Sequence, residues 1–230
     1  MGIRDSLERV VDSIRETEIS CGRETGSVRL MAISKFHPAE AVVEAIRAGQ
    51  RLFGENRVQE AADKFSAIVG RYPDTELHLV GTLQRNKVGK ILPLVACVQS
   101  VDRLEILAEI ERRAGVLGLV TDVLFEMHTG EESKAGYPDR ERLFRSLDAL
   151  AGMRSVRCAG LMTMAPFTED EKAVRASFRA LRLTRDECAK RYPSLDFSVL
   201  SMGMSSDYRI AIEEGSTLVR VGTAIFGGRG

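Results

Sequence analysis

The chain is short of paired cysteines, surplus charge, long apolar runs and low-complexity tracts, and each shortage excludes something. Cys21, Cys97, Cys158 and Cys188 lie far apart and form no CxxC, which leaves neither a disulfide framework nor a zinc motif. His37 and His128 have no ligand partner at metal-binding spacing, so no metal is expected. The 33 basic and 33 acidic residues cancel, so no global field draws the chain to nucleic acid or an anionic bilayer. No apolar run approaches membrane-spanning length, and the start, MGIRDSLERV, lacks the apolar centre of a signal peptide. A cytoplasmic protein is expected. No linker divides it, and residues 1–230 read as one domain.

The stretch that organises the chain is VRLMAISKFHP, Val28 to Pro38. Apolar and β-branched residues run into Lys35 and a proline closes the segment, the pattern of a buried strand ending on a lysine. Burying an unpaired ammonium is costly, so packing rarely puts lysine there. A desolvated amine with a lowered pKa is what Schiff-base chemistry with an aldehyde needs. The alternative is a lysine that snorkels from the strand end to water.

Around that strand the chain alternates. An amphipathic helix over about 2–24 comes first, with Leu7, Val10, Val11 and Ile14 on one face. Eight strands, between about 28 and 227, then alternate with helices: VRLMAIS, QRLFGEN, ELHLVG, ACVQSVD, TDVLFEMHTG, VRCAGLMTM, FSVLSMG and LVRVGTAIFG. Asp102 and Glu105 resemble a capping box, and Thr168 and Glu171 mark the start of a long charged helix. Eight is the number that closes an α/β barrel, and the length suits a (β/α)8 TIM barrel better than a doubly wound open sheet.

Reactive and small residues gather at the strand ends, where a barrel keeps its active face. Lys35 ends strand one, Asn56 strand two and Ser100 strand four; Thr163 follows strand six. In SMGMSSD, Ser201, Gly203, Ser205 and Ser206 precede a short helix, and Gly222-Thr223 ends the next strand. Small residues admit an anion to backbone N–H groups, and barrels often hold phosphate between these two loops. An ordinary Gly/Ser turn with a helix cap is the competing reading. Arg220 interrupts the apolar strand eight on the face of Gly222; it points inward to a ligand or outward to Glu213 or Glu214. Lysine, anion cradle and interior arginine together suit one ligand, pyridoxal 5′-phosphate (PLP).

The blocks SKFHPAEAVVEAIRAGQRLFGENRVQEAADKF, HLVGTLQRNK, GLMTMAP, SMGMSSDY and VRVGTAIFG resemble, in order, the pyridoxal phosphate homeostasis protein family. Its members are single-domain relatives of the barrel half of alanine racemase (PLP fold type III). The resemblance covers about Arg29 to Gly227. It implies that Lys35 is the Schiff-base lysine and that Arg220 faces the pyridine nitrogen. It further implies that Ser201, Gly203, Gly222 and Thr223 hold the phosphate, with Met202 and Asn56 beside the cofactor. Thr82 replaces a usual His, and EMHTGEESKAG puts His128 where an Asn-containing segment is common, so rim contacts differ.

The expected function is intracellular PLP carriage or buffering with little turnover. A PLP-dependent racemase or lyase of small amino acids stays open, as does a sugar-phosphate barrel using Lys35 as an aldolase-like base. Racemases of this kind add a C-terminal β domain, which is expected to be missing because Gly230 follows strand eight directly. The expected partners are PLP, PLP-requiring apo-enzymes and small amino acids, with neither nucleic acid nor membrane. The expected oligomeric state is a monomer or weak homodimer.

Overall fold

Eight parallel strands close into a barrel in chain order, β1 to β8, in a computed structural model that describes residues 2–130 and 135–228. The elements are α1 (Ile3–Ser20), β1 (Arg29–Ile33), α2 (Ala39–Arg47), β2 (Leu52–Glu55), α3 (Val58–Arg71), β3 (Glu76–Leu79), α4 (Val88–Ile91) and β4 (Cys97–Val101). They continue with α5 (Leu104–Leu117), β5 (Thr121–Glu126), α6 (Arg140–Ala149), β6 (Val156–Met162) and α7 (Glu171–Arg191). The last are β7 (Val199–Ser201), α8 (Tyr208–Glu213), β8 (Leu218–Val221) and α9 (Thr223–Phe226). Closure comes from β8 pairing with β1, Met31 opposite Arg220 and Ala32 opposite Val221.

Alternation along each strand builds two cores. Met31, Ile33, Leu52 and Leu218 pack inside the barrel, while Ala32, Phe53, Val219 and Val221 join the larger core under the helices. Gly54 is needed inside: a Cβ there would lie 2.5 Å from Ile33 Cδ1 and 2.6 Å from Met31 Sδ. The same period turns its neighbour Glu55 outward beneath α3. Glu18, fully buried at the end of α1, accepts from the N–H groups of Gly26 and Val28 and from Ser27 Oγ, which fixes the approach to β1.

Some local expectations change. The helix anticipated after β3 is one 3-10 turn, Arg85–Lys87, and the four-residue α4. Asp102 pairs with Arg103 instead of capping α5, and Asp170, not Thr168, caps α7 by accepting from the N–H groups of Lys172 and Ala173. Strand eight ends at Val221; Gly222 caps α9, and Thr223 is its first residue. Residues 131–134 of the EMHTGEESKAG segment lie outside the described residues. Among the described residues no helix is long and apolar enough to cross a membrane, and no group of three His, Cys, Asp or Glu could hold a metal.

Candidate functional site

Lys35 does not end its strand. It sits two residues past Ile33 in a turn, half-buried, with Nζ 5.9 Å from the centre of the Phe36 ring. The desolvated and the snorkelling readings both put Lys35 at a strand end; a half-buried position in a turn lies between them. The chain on either side of it is fixed. Ser34 Oγ donates to Glu55 Oε1 at 2.7 Å, and Lys64 Nζ donates to the Ser34 carbonyl and to Glu55 Oε1, each at 2.7 Å. The Phe36 N–H donates to Glu60 Oε1 at 2.6 Å, and the His37 ring stacks on Phe226 of α9 with centres 5.1 Å apart.

Phe36 has φ 67°, a strained conformation for a bulky residue, so these anchors hold the lysine turn against a local cost. Burial pushes the Glu55 carboxyl up, and the Lys64 ammonium opposes the rise. The His37 imidazole is lowered by burial and by Lys64.

Pairing brings the other strand ends to this turn. Ile33 lies opposite Gly54 of β2, so Asn56 comes beside Lys35; its Oδ1 is buried with no hydrogen-bond partner. On the other side Gly222 touches β1, where a Cβ would sit 3.1 Å from the Ile33 carbonyl oxygen. A Cβ at Gly222 would therefore crowd β1, which would have to give by a few tenths of an ångström.

Arg220 is inside the barrel and 4% exposed. Its Nη1 donates to Ser201 Oγ and its Nη2 to the Thr163 carbonyl, both at 2.7 Å, which leaves further N–H donors of the five. Glu213 and Glu214, the outward alternative, instead bind arginines of α7. Burial lowers the Arg220 pKa to about 10, against the attraction of Glu126 and Asp207, so it stays charged at neutral pH. Glu126, at the end of β5, is raised to about 7 by burial, with Arg220 opposing.

The expected anion cradle divides. Ser201 is fully buried, and its hydroxyl is used by Arg220 and Gln99. Met202 departs from the expectation: its side chain packs under the helices, and its N–H is spent on the Leu218 carbonyl. Gly203 has φ 96°, and a Cβ there would lie 2.6 Å from Ala211 Cβ, so only glycine lets α8 pack this closely. Among the described residues the N–H groups of Gly203 and exposed Thr223 have no partner. Ser205 is the hydroxyl that joins the two loops, accepting from the N–H of Gly222 at 3.3 Å and of Ala224 at 3.5 Å.

Sequence reasoning missed Glu126, Gln99 and Glu55, whose signal was a charged or amide residue within an apolar strand, and Lys64 of α3, which pairs with Glu55. Thr82 is exposed, as a rim residue should be. Two cavities lie away from Arg220: one of about 750 Å³ on the rim beside Phe36, His37 and Lys64, and one of about 410 Å³ at the opposite, N-terminal end of the barrel.

Comparison with known proteins adds to this geometry. The family described as "Alanine racemase, N-terminal domain" matches residues 12–230. A pyridoxal phosphate homeostasis protein of Aquifex aeolicus is 38% identical over 100% of this chain and 99% of its own length. The Escherichia coli K12 protein of the same name is 35% identical over 99% of this chain and 97% of its own. The chain belongs to the pyridoxal phosphate homeostasis protein family. PipY of Synechococcus elongatus, solved with PLP bound, superposes with a TM-score of 0.83 at 39% identity, over 93% of this chain and all of that one. An alanine racemase of Clostridium difficile shares the fold alone, with a TM-score of 0.78 at 12% identity over 97% of this chain and 57% of the racemase.

Proposed function

We propose that the protein binds PLP at the C-terminal mouth of the barrel and acts in PLP homeostasis as a carrier or buffer, with little turnover. The observation that carries this reading is the assembly on adjoining strand ends of the Lys35 amine, the buried Arg220 cation and the unpartnered N–H groups of Gly203 and Thr223. The partnerless Asn56 Oδ1 fits a polar ligand at the same mouth, since a buried acceptor left unpaired is costly. PLP bound to PipY, and the name shared by the full-length relatives, support the same cofactor here.

When bound, the cofactor supplies an aldehyde that condenses with amines and a ring able to take up electrons. Lys35 holds the aldehyde end, and its fixed turn limits where the amine can go. Gly203 and Thr223 offer neutral backbone donors to the phosphate. Arg220, which can only donate, disfavours a proton on the ring nitrogen by like-charge repulsion and so weakens electron uptake. That is the property of a holder more than of a racemase. Small amino acids competing for the aldehyde, and cytoplasmic apo-enzymes that need PLP, are the recipients this reading implies.

The direct test is borohydride reduction of the loaded protein followed by peptide mass mapping. The adduct is expected on the peptide containing Lys35 and absent from Lys35→Ala. An adduct elsewhere with Lys35 unmodified overturns the assignment.

A further inference from the structure

A line of hydrogen bonds crosses the barrel interior from the cofactor mouth to the cavity at the opposite end. Arg220 Nη1 meets Ser201 Oγ at 2.7 Å, and Ser201 Oγ meets Gln99 Oε1 at 2.7 Å. Gln99 Nε2 meets His78 Nδ1 at 2.8 Å, and His78 Nε2 meets Glu76 Oε1 at 2.7 Å. Glu76 also takes Arg29 Nη2 at 2.6 Å, and both line the cavity of about 410 Å³. Gln99 and Ser201 are completely buried and His78 is nearly so.

The bonds run in one sense from end to end. A guanidinium only donates, so Ser201 Oγ accepts from Arg220, and it donates its own hydrogen to Gln99 Oε1. That places the Gln99 amide nitrogen toward His78, where it donates to Nδ1. The imidazole then carries its proton on Nε2 and donates to Glu76, an anion that only accepts. Five groups are thus ordered in one direction, and each bond polarises the next. Without it, Arg220 would rest on a hydroxyl free to rotate and a single carbonyl.

We propose that Gln99 is a positioning residue for Arg220, acting through Ser201 and oriented in turn by His78 and Glu76. The proposal rests on the reading that Arg220 faces the bound cofactor. Its consequence is that loading the C-terminal mouth is felt at His78, on the opposite side of the barrel interior.

Histidine labelled with ¹⁵N gives the readout, because the chain has only three histidines. Long-range ¹H–¹⁵N spectra of wild type should show His78 protonated on Nε2, with its nitrogen shifts moving when PLP is added. Gln99→Met removes both links at similar volume. It should still carry the borohydride adduct on Lys35, yet release PLP about tenfold faster, with a shifted visible band and a His78 signal that ignores loading. Gln99→Glu keeps the acceptor for Ser201, so its release should stay nearer to wild type than that of Gln99→Met, while His78 takes a proton on Nδ1 and keeps its Nε2–H on Glu76. That variant carries the test if Gln99→Met fails to fold.

Wild-type His78 protonated on Nδ1 alone, or Gln99→Met with unchanged band and release, overturns the proposal. So does Gln99→Glu with unchanged His78 protonation. Loss of the Lys35 adduct in wild type would overturn the cofactor reading first, and the proposal with it.

Discussion

Replacing Lys64 with methionine tests whether a buried charge pair holds the turn that carries Lys35. The Lys64 side chain is 7% exposed and that of Glu55 0%. Removing one member of such a pair costs about 3–5 kcal/mol, because the other charge stays buried without compensation. Glu55 has one escape, which is to take up a proton. Neutralising a carboxyl of ordinary pKa at pH 7 costs about 3 kcal/mol, and that bounds the charge part of the loss.

The lost bond to the Ser34 carbonyl adds about 1 kcal/mol, giving an expected loss of about 3–4 kcal/mol. With a urea slope of about 3 kcal/mol per molar, the midpoint should fall by about 1 M. The sign of the pH dependence follows. In the variant the folded carboxyl sits higher still, so the native state holds a proton that the unfolded chain releases. The penalty therefore grows as pH rises from the unfolded pKa toward the folded one. At pH 5 neutralisation costs under about 1 kcal/mol, and the variant should recover about 2 kcal/mol relative to wild type. Urea unfolding followed by circular dichroism at pH 5 and pH 7 measures both numbers. Equal losses at the two pH values, or a loss under about 1 kcal/mol at pH 7, refute the argument.

Three other outcomes are expected beside the Lys35→Ala result. Glu126, raised by burial to about 7, holds in the native state a proton that the unfolded chain sheds above its ordinary value. Its contribution is present below that value and is lost as pH rises toward 7, by about 3 kcal/mol. Glu126→Gln should flatten this fall in melts at pH 5 and pH 8, and parallel profiles would show the carboxyl plays no such part. Ser205→Ala removes the acceptor joining Gly222 and Ala224, and should speed PLP loss through dialysis by about tenfold; unchanged retention would take Ser205 out of the cradle. Loaded protein kept with L-alanine in heavy water should form D-alanine and exchange its α-hydrogen far more slowly than about 1 s⁻¹, the low end for enzymes. Turnover at that rate, followed by NMR and chiral chromatography, would favour the racemase.

The barrel was legible because alternation and strand-end chemistry are local signals. Lys35, Asn56 and Gly222 read as strand-end residues of one mouth, and pairing brings their strands together, whereas the inward turn of Arg220 was left open by the sequence. What stayed hidden depends on which way a side chain turns across elements. Glu55 was passed over in QRLFGEN, yet it faces α3, where Lys64 meets it from nine residues on. Ser201 looked like a phosphate donor, but its hydroxyl is claimed inside the barrel by Gln99, 102 residues earlier in the chain. Strand eight appeared longer than it is because TAIF is apolar enough for either conformation, and only Gly222 reveals the helical turn. Spacing cannot report such choices, since they are decided by partners distant in sequence.

The candidate site straddles the seam between β1 and β8. Arg29 pairs with Leu218, so this ladder joins segments almost the whole chain apart, and closing a loop of that length directly costs more chain entropy than any pairing of sequence neighbours. Lys35 stands on one lip of that seam, with Arg220 and Gly222 on the other. A chain still lacking β8 has the lysine of this seam but neither Arg220 nor Gly222. Conversely, a ligand spanning the two lips acts as a clasp. Its binding energy adds directly to the free energy needed to open the ring at this point, while leaving distant strands such as β4 and β5 unaffected by local opening.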